Sequence, residues 1–273
     1  MLTELEAQSN VLSLEALHNE LGLESAISQL PQFISKIRGF FADRLGNPLQ
    51  FNFLGDRRTK FLKSVEKTTY LDFKNVTLYV PQGLTCQYLE HAKVLDDAVS
   101  TCLTMEADVL DPLIKWLGER IGNPSSLASV TSALKIDGFS GKDFEKQEKN
   151  YHACFVAHGK KESEVPYQKA IARQNDWAKV LAGLESMELR MSIDLHNRLI
   201  EKMKRLDDLL ETLVRRMKES PNAYRLSPRA TSDLAQTVFS AARHLEFYAL
   251  TKFRLEEYSV AVKDSIEKLS KFV

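Results

Sequence analysis

The sequence predicts a mainly α fold: a long antiparallel helical hairpin at 166–273 within a helical bundle, and a small β appendage near the N-terminus. Three observations carry that expectation. Trp177, Val180, Leu184, Met187, Met191, Leu195, Leu199, Met203, Leu206, Leu210, Leu213 and Met217 recur at steps of three or four, a mean of about 3.6, which is the period of an amphipathic helix. Beyond a break at Ser220-Pro221-Asn222, a second ladder runs through Leu234, Val238, Ala241, Leu245, Tyr248, Leu255, Val262, Ile266 and Leu269. Two long apolar faces joined by a short turn must return antiparallel. Upstream, Leu49-Gln50-Phe51-Asn52-Phe53 alternates apolar and polar residues, as a half-buried strand does.

In chain order, residues 1–11 have few anchors. Ser13 is placed to cap a short helix over 14–21, with Gly22 ending it. A second short helix is expected at 24–30. Pro31 opens a third, where its missing N–H costs nothing. Phe33, Ile34, Ile37, Phe40, Phe41 and Leu45 form its apolar stripe, and Gly46-Asn47-Pro48 stops it. The stripe reads as core, because Lys36, Arg38 and Arg44 are too few beside it for a membrane-surface helix. Extended runs at 70–73 and 76–80, with Lys74-Asn75 as the turn, complete the expected sheet. Between the strands, Arg57, Arg58 and Lys60 lead into a short helix with Phe61, Leu62 and Val65 on its inner face. A two-stranded hairpin is marginal by itself, so this sheet must lean on helices or on a neighbouring subunit.

From 87 the helical period returns through Leu89, Leu95, Val99, Cys102, Val109, Leu113 and Trp116. Pro112 removes a backbone donor and crowds the preceding turn, so a kink or restart is expected there, with Asp111 as cap. Gly122-Asn123-Pro124 is a stop. A short helix at 125–134, a loop at 136–141 and a polar helix at 142–157 follow. The charged stretch 160–164 reads as a connector, and Pro166 opens an arm over 167–219 that spans about 80 Å as one helix. Ser227 and Pro228 hold the cap and first position of the return helix. The helix at 87–121 is the natural third member of the bundle. Two regions result, 1–85 with the short helices and sheet and 86–273 with the bundle.

Composition narrows the function classes. Among 273 residues, Lys plus Arg and Asp plus Glu are 37 each and 44% are hydrophobic. That balance argues against disorder and against a dedicated nucleic-acid binder, which carries a basic excess. Cys86, Cys102 and Cys154 are odd in number and irregularly spaced, so reduced thiols in a cytoplasmic setting are expected rather than a disulfide framework. The first ten residues lack the basic and apolar regions of a signal peptide. No apolar run approaches the ~18 residues of a membrane span.

Each candidate for chemistry has a plainer reading beside it. His152, Cys154 and His158 suggest zinc, but a fourth ligand is missing nearby, and surface histidines with a structural cysteine explain them as well. Glu15 and His18 match half of a di-iron motif that needs two copies on long helices. Asp96-Asp97 and Asp207-Asp208 are adjacent pairs that point about 100° apart on a helix, as solvated faces do. Phosphate loops, nucleophile elbows and dinucleotide fingerprints do not occur in the sequence. We therefore expect no catalytic residues, no cofactor and no metal.

Interaction is the remaining reading. Arg215, Arg216 and Lys218 end the first arm, and Arg225 and Arg229 follow the turn. Cations at a helix C-terminus are favoured by its dipole, which is the structural explanation; contact with a partner is the functional one. Phe239, Phe247 and Phe253 lie off the inner ladder of the return helix and are expected to be exposed for a second subunit or an assembly partner. An exposed strand edge of the β appendage is the other expected mating surface.

The short-helix opening at 12–45, the β insertion at 49–80 and the long neutral hairpin together resemble helical virion structural proteins of tailed bacteriophages. The resemblance implies a non-enzymatic structural or assembly protein that works through protein–protein contacts or self-association as part of a virion. A metal-dependent helical hydrolase using His152, Cys154 and His158 is the alternative from the enzyme class. A nucleic-acid-associated helical protein is the third, disfavoured by the neutral charge.

Overall fold

The computed structural model describes residues 55–67, 73–81, 87–123, 136–139, 162–224 and 227–272. The helices expected at 14–21, 24–30, 31–45, 125–134 and 142–157, and the strand at 49–53, lie outside them. In order, the elements are α1 (Gly55–Lys67), β1 (Thr77–Pro81), α2 (Tyr88–Met105), a π-helical turn (Glu106–Leu110), α3 (Asp111–Gly122), β2 (Glu162–Pro166), α4 (Tyr167–Ala170), α5 (Asp176–Arg190), α6 (Ile193–Glu219) and α7 (Pro228–Leu269). The protein is mainly α with long helices and a small two-stranded antiparallel sheet. Its described residues fall into two compact units: 102–123, 136–139, 194–224 and 227–249 in one, and 55–67, 73–81, 87–101, 162–193 and 250–272 in the other.

The first unit contains the turn end of the α6–α7 hairpin, α6 from 194 and α7 as far as 249. Leu195, Leu199, Met203, Leu206, Leu210 and Leu213 are buried along α6, and Leu234, Ala235, Val238, Ala241, Ala242 and Leu245 along α7. The His196 and Tyr248 rings stack, with centroids 6.1 Å apart. These two residues stand equally far, twenty-six positions, before and after Asn222, as an antiparallel pair of helices requires. Tyr224 pins the turn by donating its hydroxyl to the Ile121 carbonyl at 3.3 Å. Ser227 Oγ accepts the Ala230 N–H at 3.1 Å, the expected N-cap of α7. On the other flank of α6, Arg198 meets Glu106 at 3.0 Å, and Lys202 meets both Glu106 and Asp111.

At the Pro112 position, where a kink or restart is expected, a new α-helix begins at Asp111. The chain stays helical across it, with Leu110 and Asp111 both in the right-handed helical region, and a π turn precedes the proline. Proline cannot donate to the turn before it and its ring crowds that turn; a wider π turn absorbs both. Asp111 does not cap α3, since no side-chain cap bond is present there; its carboxylate pairs with Lys202 instead.

The second unit is built on aromatic packing. The Trp177 indole lies edge-on to Phe61 at 5.3 Å and beside Tyr88 at 5.6 Å, and donates to the Tyr167 hydroxyl at 3.1 Å. Tyr167 stacks on Phe73 at 4.8 Å. Tyr258 packs edge-on to Tyr88 and donates to the Tyr88 carbonyl at 3.1 Å. Fully buried tyrosines keep their hydroxyls bonded, which fixes how α2, α5 and α7 meet in this unit.

The sheet differs from the expected hairpin. Strand β1 pairs with β2, in the register Thr77 with Pro166 through Pro81 with Glu162. Lys74-Asn75 forms a turn, but 70–72 lie outside the described residues, and the stretch read as a charged connector supplies the partner strand. Glu-rich sequence has poor β-propensity, so local composition hides β2. Pairing and burial of Val165 across from Leu78 override it.

The arm at 167–219 is also three helices rather than one. It breaks at 171–175 and again at 191–192, which leaves α6 about 40 Å long and α7, at about 63 Å, the longest element. At the first break Ile171 is extended, and Asp176 Oδ2 accepts the Arg173 N–H at 2.9 Å, a local bond that competes with helix. Gln174 ties the same loop to the Val65 carbonyl at the end of α1. At the second break, Met191 leaves helical dihedrals after its N–H bonds the Met187 carbonyl. Met187, Met191 and Leu195 are nonetheless all buried, so the apolar period runs through the break without a sign of it.

Candidate interaction surface

The expected interaction residues do not share one environment. Phe247 is 2% exposed and packs inside the chain, so it presents no surface. Phe239 and Phe253 are half-buried. The inner face of α7 is broader than the a/d ladder: Ala235, Ala242, Phe247 and Tyr258 extend it sideways, and a helix sandwiched between neighbours buries more than one stripe. Among the described residues the exposed large apolar side chains are Leu189, Phe272, Val260, Leu103 and Ile193, of which Leu189 and Ile193 lie four positions apart on either side of the 191–192 break. Between them, Arg190 binds Asp96 and, at 3.2 Å, Ser100. Leu103, Val260 and Phe272 are exposed singly, as isolated surface apolar residues commonly are.

The cations form the second element. Arg215, Arg216 and Lys218 occupy the last turns of α6 and are exposed, as is Arg229 in the first turn of α7. Arg225 lies outside the described residues. The first three are where the α6 dipole favours them. Arg229 is not, because the first turn of α7 is the positive end of that helix, and it holds no acid.

The sheet edge expected to mate is occupied. The Tyr167 N–H bonds the Val76 carbonyl at 2.9 Å, so alternate β1 residues from 76 face β2 and Tyr79 faces outward. Its outward N–H donates to Ser265 Oγ at 3.0 Å, and its carbonyl accepts the Tyr88 hydroxyl. Tyr88 and Ser265 share a further bond of 2.7 Å. On β2, Pro166 has no donor, and Glu164 is exposed and engaged with Thr77 at 3.0 Å and Lys268 at 3.6 Å. Thr77 and Lys268 hold the Glu164 carboxyl below its ordinary range. Prolines, charges and side-chain caps are how sheets block unwanted edge pairing.

Titratable groups inside the units serve the fold as placed. Burial pushes the Glu188 carboxyl up to about 8, with Glu185 adding like-charge repulsion; one of its oxygens is buried without a hydrogen bond. Burial lowers Lys252, opposed by Glu256, and raises the Tyr248 and Tyr258 hydroxyls. Cys102 is buried and in no disulfide. Asp96 pairs with Arg190, Asp97 and Asp208 are exposed, and Asp207 is buried. No group of three or more His, Cys, Asp or Glu among the described residues is placed to hold a metal ion. Glu15, His18, His152, Cys154 and His158 lie outside the described residues, as does the side chain of Arg57. No described helix is long and apolar enough to cross a membrane.

No family model, curated protein or solved structure matches this chain.

Proposed function

We propose that the chain is a non-enzymatic architectural protein that assembles through contacts between copies of itself, in the manner of a virion structural component. The observation that carries this reading is the exposure of Leu189 and Ile193, on either side of Arg190, which is ion-paired with Asp96 at the surface, and of the buried Met191. Exposed apolar positions flanking a helix break favour a protein partner. Equal numbers of acidic and basic residues, 37 each, leave little charge repulsion between copies. The resemblance to phage virion proteins supports the same class.

The test replaces Leu189 and Ile193 together with Ser and follows mass by light scattering alongside thermal melting. Assembly lost with unchanged melting supports a mating surface. Equal loss of both assigns the two residues to ordinary packing and removes the reading's main support.

A further inference from the structure

Resting on that reading, we infer that the tip of the α6–α7 hairpin is a second docking surface, and that its partner is an acidic protein segment. Arg215 and Arg229 stand seven residues before and after Asn222, the symmetry point on which His196 and Tyr248 stack. They therefore lie at one level of the hairpin, on opposite helices. Arg216 and Lys218 are exposed beside Arg215. From 215 to 229 the sequence has five cations and one acid, Glu219. Among the described residues, none of the four described cations has an ion-pair partner; of the other α6 cations, Arg198 and Lys202 each have an acidic partner, while Lys204 and Arg205 do not.

The dipole of α6 explains three of these charges but not Arg229, which sits against the positive end of α7. Like charges gathered from two helices raise the energy of the free tip. An acidic partner relieves it, and complementary charge of this kind speeds and orients association. The aromatic residue of the tip argues for protein over nucleic acid. Tyr224 is buried with its hydroxyl on Ile121, so it offers no face for base stacking. A phosphate backbone continuing down α6 meets the exposed acids Glu219, Glu211 and Asp208. A short acidic element matches the tip alone.

The experiment titrates the full chain with a fluorescently labelled peptide of alternating Glu and Ser, and separately with a single-stranded and a duplex oligonucleotide of similar charge. It uses the wild type, the variant Arg215→Gln/Arg216→Gln/Arg229→Gln, and the control Lys179→Gln/Lys204→Gln/Arg205→Gln, which removes the same charge elsewhere. We expect the tip variant to weaken peptide binding about tenfold at low salt, with the control within about twofold of wild type and the difference shrinking at high salt. Equal weakening by both variants, no peptide binding, or tighter binding of either oligonucleotide each overturns the proposal. Circular dichroism of each variant separates lost binding from lost folding. Because Leu189 and Ile193 are untouched, a failed titration with intact assembly overturns the tip alone. Absent assembly with intact tip binding instead overturns self-association.

Discussion

At the residue scale, the deepest side chains behave as their spacing in sequence implies, and the partly buried charges do not. Leu199 is fully buried in the hairpin, so Leu199→Ala removes transfer energy and leaves a cavity. It should cost about 2–5 kcal/mol in denaturant unfolding; a cost under about 1 kcal/mol means the hairpin core is not packed. Glu188 was invisible as a special residue, because on α5 it reads as one more polar position in a helix rich in them. Only the fold shows that it sits where water is scarce. Its folded pKa of about 8 lies above its ordinary value of 4.5, so the native state holds the proton more tightly than the unfolded chain does. Stability is therefore complete at pH below the ordinary value and declines as pH rises toward about 8. Glu188→Gln should flatten that decline, leaving the variant more stable than wild type at alkaline pH and similar to it in acid. Parallel melting profiles across pH for the two proteins contradict the assignment.

At the element scale, apolar period identified helices well and their ends poorly. The burial of Met187, Met191 and Leu195 stays in phase across a break, so a count of steps cannot detect it. The signals that mark the ends were small and local. Ser192 stands just before α6 and Asp194 lies in its first turn, a familiar helix start. Asp176 begins α5 and folds back onto Arg173. Asp176 is itself buried, so Asp176→Ala leaves the Arg173 N–H of the loop without its acceptor and should cost about 1–3 kcal/mol, measured by thermal or denaturant unfolding. An unchanged stability shows that the 171–175 break is fixed by Gln174 and Ile171 rather than by the carboxylate. Strand β2 was the element least accessible to reading, because its partner lies far away in sequence and no local pattern marks it. Pro112 was legible as a disturbance; that the chain answers with a π turn was not, since either a restart or a wider turn accommodates a missing donor.

At the scale of the whole molecule, the fold class was legible because long periodic runs are the strongest signal a sequence holds. The candidate interaction surface was half legible. The tip cations Arg215 and Arg216 are exposed as expected, because surface charge follows from a helix's polar face. Phe247 was misplaced because exposure on a second helix face depends on how many neighbours the helix has, which periodicity does not report. Leu189 and Ile193 gave a usable signal, two apolar residues off the ladder four positions apart, beside a helix end that had not been located. The central claim is that copies of this chain mate through that apolar pair. Light scattering of the wild-type protein over a range of concentrations tests it most directly. Self-association predicts a mass that climbs to a multiple of 31.0 kDa and returns to the single-chain value in Leu189→Ser/Ile193→Ser with its melting unchanged. A wild type that stays at 31.0 kDa at every concentration contradicts it.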